Sequence, residues 1–224
     1  MRVRILSLIE GARAARGTAV MIDVFRSSTT MVAAFAAGAE RIIPVGELDE
    51  AYRLKRENPS FLLFGERGGL PAEGFDSGNS PAAVARMDLR GKTIIFTTSA
   101  GTQGIVSAVQ AGEILIGGFV NARAVADYVI EKQPTDVSLL AMGVAGVKPA
   151  LEDELCAEYI RALILGEPAD HGQMVAAIMT DPEALKFLDK TNPVYNPDDV
   201  HLSLRANVYS IVPRYEKDRG HVGR

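Results

Sequence analysis

Three short hydrophobic runs, Ala19 to Ile22, Phe61 to Phe64 and Thr93 to Phe96, each break off into a segment rich in acids, hydroxyls, glycine or arginine. Short all-apolar runs that alternate with helical patterns predict parallel strands buried on both faces. Arg41 to Val45, Ile114 to Ile116 and Val137 to Met142 extend the set, and the weak alternation of Val3 to Leu6 predicts an edge strand. Between them, Thr29 to Ala37 reads as a helix capped by Ser27 or Ser28 and stopped by Gly38. Leu48 to Glu57 is amphipathic at helical spacing, Ser80-Pro81 opens another helix, one helix runs from near Gly101 to Gly112, and Asn121 caps one reaching about Lys132.

From Pro149 onward the pattern is mainly helical, with Leu151 to Leu165, Met174 to Ile178, and Pro182 to Leu188 behind an Asp181 cap. The tail predicts a helix within Asp198 to Ser210 and a final edge strand from Ile211 to Tyr215. The alternation predicts one α/β domain over residues 1–224: a three-layer fold with a mostly parallel sheet flanked by helices and a mainly helical C-terminal subregion over 149–210. Ligands of open α/β sheets bind at the carboxyl ends of the strands, so the three polar segments are expected to share one pocket.

A net charge of -4 with scattered basic residues argues against nucleic acid. No apolar stretch approaches the roughly 18 residues of a membrane span, and no secretory signal is evident, so a cytoplasmic protein is expected. Homo-oligomerisation stays open. The single cysteine, Cys156, sits between Leu155 and Ala157 and reads as a packing thiol. His171, His201 and His221 lack ligand spacing, which disfavours a histidine-rich zinc centre.

The first polar segment, Asp23-Val24-Phe25-Arg26-Ser27-Ser28-Thr29-Thr30, puts an acid, a guanidinium and four hydroxyls at a helix start, where unpaired N–H groups favour an oxyanion. The plainer reading is a serine cap beside a local ion pair. In Gly65-Glu66-Arg67-Gly68-Gly69, glycines allow close backbone approach and Arg67 can grip a phosphate, sulfonate or carboxylate; a turn with a surface salt bridge is the alternative. Thr97, Thr98, Ser99, Gly101 and Thr102 form a third donor-rich turn. In the long loop from Glu66 to Asn79, Asp76 is a second-rank metal candidate and Asn79 reads as a turn residue. Glu152-Asp153-Glu154 can serve a helix dipole or hold a hard cation such as Mg2+. Neither a Walker sequence nor Gly-x-Gly-x-x-Gly occurs at these turns.

Together with Gly74-Phe75-Asp76-Ser77-Gly78-Asn79-Ser80-Pro81 and Glu152-Asp153 followed by Cys156-Ala157, these segments resemble the 2-phosphosulfolactate phosphatase (ComB) family, in family order from Asp23 to Ala157. The family pattern has Ala and Thr where Ser27 and Ser28 stand, and Asn where Ala100 stands. The resemblance implies a Mg2+-dependent phosphatase that hydrolyses (2R)-2-phospho-3-sulfolactate, or a similar small phosphorylated hydroxy acid, to the hydroxy acid and phosphate. It implies Mg2+ on Asp23, Glu66 and Asp153 or Glu152, with Asp76 behind them. Asp23, Arg26 and Arg67 would act in catalysis. Ser28, Thr29, Thr30, Gly68, Thr97, Thr98, Ser99, Gly101 and Thr102 would bind the polyanionic substrate. The alternatives are an aspartyl-phosphate route through Asp23, although a haloacid-dehalogenase-like pattern expects a second Asp where Phe25 stands, and a non-catalytic carrier of an anionic metabolite.

Overall fold

The computed structural model describes residues 1–189, 191, 192 and 194–224. Among them, nine strands form one mixed sheet in two parallel halves. In the first half, β1 (Arg2–Ser7), β7 (Asp136–Ala141), β2 (Thr18–Ile22) and β6 (Glu113–Gly117) lie side by side. The second half consists of β3 (Arg41–Pro44), β5 (Thr93–Thr97) and β4 (Leu62–Gly65). Ile22 pairs with Gly117 on one side and Ala141 on the other, and Gly65 pairs with Thr97, so each half brings its strand ends level.

The two halves are joined by the C-terminal hairpin β8 (Arg214–Glu216) and β9 (His221–Gly223), both antiparallel to their neighbours. Tyr215 pairs with Ile114 of β6, and Val222 pairs with Ile42 of β3. The tail expected at the sheet edge therefore fills its middle. Pro213 accepts from the Ile116 N–H (2.9 Å) but has no N–H to return, so the strand begins only at Arg214.

Successive residues of β2 serve opposite cores, as a buried strand requires. Met21 packs with Phe35, Ile105 and Ile116 beneath α1 (Leu8–Ala14), α2 (Ser27–Ala36) and α5 (Gly101–Ser107). Val20 and Ile22 pack with Val125, Leu139 and Ile160 beneath α6 (Ala122–Lys132) and α7 (Leu151–Leu165). The amphipathic α3 (Leu48–Glu57) covers the second half through Ala51 against Leu63 and Ile95. The short α4 (Pro81–Val84) starts at Ser80, whose hydroxyl accepts from the Ala83 N–H. The helices α8 (His171–Ile178), α9 (Pro182–Leu188) and α10 (Pro197–Ser203) precede the C-terminal hairpin, and Asp181 caps α9 as expected. None of the helices among the described residues is long and apolar enough to cross a membrane.

Candidate active site

Asp23 leaves the end of β2 and is fixed at both its backbone and its side chain. Its N–H donates to Ser28 Oγ (2.7 Å), and its Oδ1 accepts from the Ser27 N–H (3.2 Å). Asp23, rather than a serine, thus satisfies the start of α2, and both serines lie inside the first turn. The Gly101 N–H, at the start of α5, also favours the charged form of the Asp23 carboxylate. A Cβ on Gly101 would sit 2.4 Å from Ser27 Oγ and 2.9 Å from Asp23 Oδ2, so only glycine lets α5 come this close.

Two further acids tie the strand ends together. Glu66, just after β4, accepts from the Ser99 N–H (2.8 Å) with Oε1 and from the Gly69 N–H (2.7 Å) with Oε2. Asp153, in the first turn of α7, accepts from the Val24 N–H with one oxygen and the Gly143 N–H with the other, both at 2.7 Å. Glu152 and Asp153 of the first turn of α7 therefore face inward, where a helix-dipole role alone would leave them in solvent.

Asp23, Glu66, Glu152 and Asp153 line a cleft of ≈ 300 Å³, and Glu183 of α9 adds a fifth carboxylate. Against these stand two cations, Arg26 and Lys186. Burial, offset by the Ser27 N–H and reinforced by the nearby Glu66 charge, pushes the Asp23 pKa up to about 6. Burial and the neighbouring Asp23 and Glu183 charges raise Glu152 to about 7. Asp153 is pushed up as well, first by burial and then by Glu152 and Asp23. Glu152 Oε2 is buried without a hydrogen-bond partner. All these donors are oxygens, the ligand type a hard cation prefers. Even so, no three His, Cys, Asp or Glu side chains among the described residues form a ready-made metal cage.

Arg26, which follows a cis Phe25–Arg26 peptide bond, is 5 % exposed. Its Nη1 donates to Asp199 Oδ2 at 3.2 Å and its Nη2 to the Gly69 carbonyl at 3.2 Å. The guanidinium carbon lies 5.6 Å from the Phe187 ring centre and 5.3 Å from that of Tyr195. Sequence reasoning did not find Asp199, Phe187 or Tyr195. Asp199 resembles the dipole-serving acids common at a helix start, and α9 carries no motif. Asn79, read as a turn residue, also lines the cleft, with a buried Oδ1 that has no partner.

Several expected site residues lie elsewhere. Arg67 is turned away from the cleft: Nη1 donates to its neighbour Glu66's carbonyl, and Nη2 to the Gly46 carbonyl and Thr97 Oγ1, each at 2.7 Å. Asp76 braces the edge of β4 by accepting from the Leu63 N–H (2.8 Å) and pairing with Lys55, so it is no metal ligand in this arrangement. The hydroxyls of Ser28, Thr29, Thr98 and Thr102 bond nearby backbone groups, while buried Thr30 Oγ1 has no partner. They shape the turns instead of lining the cleft. Gly68, Ser99 and Ala100 do line it.

A family model described as 2-phosphosulpholactate phosphatase matches residues 4–218. This chain belongs to that family. A relative from Carboxydothermus hydrogenoformans, named "Probable 2-phosphosulfolactate phosphatase", is 42% identical over 165 residues, 73% of this chain and 68% of the relative. Relatives of the same name from Clostridium novyi and Bacillus subtilis are 37% and 31% identical, covering 88% and 89% of this chain and 88% and 87% of their own lengths. The 2-phosphosulpholactate phosphatase family is a family of phosphoric monoester hydrolases, and the acid-lined cleft lies inside the matched region.

Proposed function

We propose that the cleft hydrolyses 2-phospho-3-sulfolactate, or a closely similar phosphorylated hydroxy acid, to phosphate and the hydroxy acid, and that it does so with Mg2+. The observation that carries this reading is the unpartnered, buried Glu152 Oε2 beside Asp23 in a cleft where carboxylates outnumber cations five to two. A phosphate dianion would be repelled from such a surface unless a cation neutralised it. Mg2+ commonly uses one or two carboxylates and completes its shell with waters and phosphate oxygens, so an incomplete protein cage fits it. Asp23 and Glu152 would hold it. Glu66 and Asp153, whose oxygens all accept N–H groups, would keep the surrounding backbone in place. When bound, the ion would neutralise the phosphoryl oxygens during displacement.

The chain's own groups supply the rest. Arg26 uses two donors on Asp199 and Gly69, and a guanidinium has more, so it can orient a phosphoryl oxygen without leaving its pocket. Its burial between aromatic rings strengthens that interaction by excluding water. Water attacks phosphorus as the bond to the C2 oxygen breaks, and the leaving alkoxide takes up a proton. The proton that the attacking water gives up balances the one that the leaving alkoxide takes up. The test is phosphate release from 2-phosphosulfolactate with Mg2+ or with a chelator. Release only with the metal supports the reading, and no release under either condition overturns it.

A further inference from the structure

Lys186 and Arg26, the cations that line the cleft, stand in different states. Arg26 is buried and neutralised by Asp199. Lys186, with 41% of its side chain exposed, is held among the described residues by Glu183 alone, one turn earlier on α9. Glu183, Lys186 and Phe187 lie three and four residues apart, so one face of α9 forms this wall. Glu183 has a second cation in reach, since Lys148 Nζ lies 3.6 Å from its Oε1. Arg67, the other basic residue expected to contact substrate, is committed to carbonyls and Thr97.

We infer that Lys186 is a specificity-determining residue that exchanges Glu183 for the second acidic group of the substrate, while Lys148 remains with Glu183. This deepens the phosphatase reading and rests on it. The exchange keeps charges paired: Glu183 retains one ammonium, and the substrate's sulfonate or carboxylate gains another. A phosphate monoester without a second acid has nothing to offer Lys186, so the lysine stays with Glu183. The residue thus selects for a second negative charge and is not needed to bind phosphate itself.

The test compares 2-phosphosulfolactate with isopropyl phosphate, which lacks both further acids, using KM where there is turnover and a competitive inhibition constant otherwise. Lys186→Gln is expected to weaken 2-phosphosulfolactate about tenfold and isopropyl phosphate less than threefold, and Lys186→Arg to restore most of the difference. Equal losses for both compounds, or no loss for 2-phosphosulfolactate, would overturn the assignment of Lys186 alone. Failure of the wild-type protein to release phosphate from 2-phosphosulfolactate would overturn the phosphatase reading and this inference together.

Discussion

Arg26 and Asp199, 173 residues apart in the chain, form a 3.2 Å ion pair in which Asp199 is fully buried. Asp199 also accepts from Ser80 Oγ (2.6 Å) and the Ala82 N–H (3.1 Å), so it joins α2, α4 and α10 behind the cleft. Removing one partner of a buried pair leaves an uncompensated charge, which typically costs about 3–5 kcal/mol. Asp199→Ala is therefore expected to lower stability on that order in chemical denaturation and to raise KM by releasing Arg26. Unchanged stability would show that the pair is not formed.

Gly101→Ala separates the site from the fold. The added methyl has no room between Ser27 Oγ and Asp23 Oδ2, but the backbone at Gly101 is not in the left-handed region, so the helix itself accepts alanine. Displacing Asp23 by a fraction of an ångström should cut kcat about ten- to a hundredfold. Circular dichroism should show the secondary structure retained.

The raised carboxylates set a pH dependence for the metal-free protein. Glu152 titrates at about 7 against an ordinary 4.5, and Asp23 at about 6 against 3.8. The folded state therefore binds protons that the unfolded chain has released, and stability falls as pH rises from 3.8 to about 7. Glu152→Gln removes part of that penalty. Its melting temperature at pH 8 in chelator should exceed that of the wild type by a few degrees, and the difference should shrink toward pH 4.5.

The polar ends of the three hydrophobic runs do meet, because parallel strands align their carboxyl ends, and Asp23, Glu66 and Ser99 were legible for that reason. Arg67 and Asp76 were expected at the cleft and lie outside its lining, because a charged residue in a glycine-rich loop gives no sign of whether it faces a ligand or braces its own loop. The hydroxyls beside Asp23 looked like ligand donors, yet those of Ser28 and Thr29 bond backbone a few residues away. Asp199, Phe187 and Tyr195 belong to no local pattern; only tertiary packing brings them to Arg26. The central position of β8 and β9 was equally hidden, since three-residue strands carry too little alternation to reveal their neighbours.

That hairpin joins the two parallel halves, so a change within it should affect the whole sheet. Val222 is fully buried between Ile42 and Tyr215. Val222→Asp places an unpaired carboxylate there and should cost several kcal/mol, giving an unfolded or protease-sensitive chain, whereas Val222→Ile should fold. A stable Val222→Asp protein with native resistance to proteolysis would contradict the central placement.

The central claim, that Glu152 and Asp23 hold a cation on which phosphate hydrolysis depends, is tested most directly by the rate of phosphate release from 2-phosphosulfolactate as a function of free Mg2+ in the wild type and in Glu152→Gln. The account predicts saturable activation in the wild type, no release in chelator, and at least about tenfold more Mg2+ for half-activation of the variant. Full activity in chelator, or superimposable activation curves for the two proteins, would contradict it.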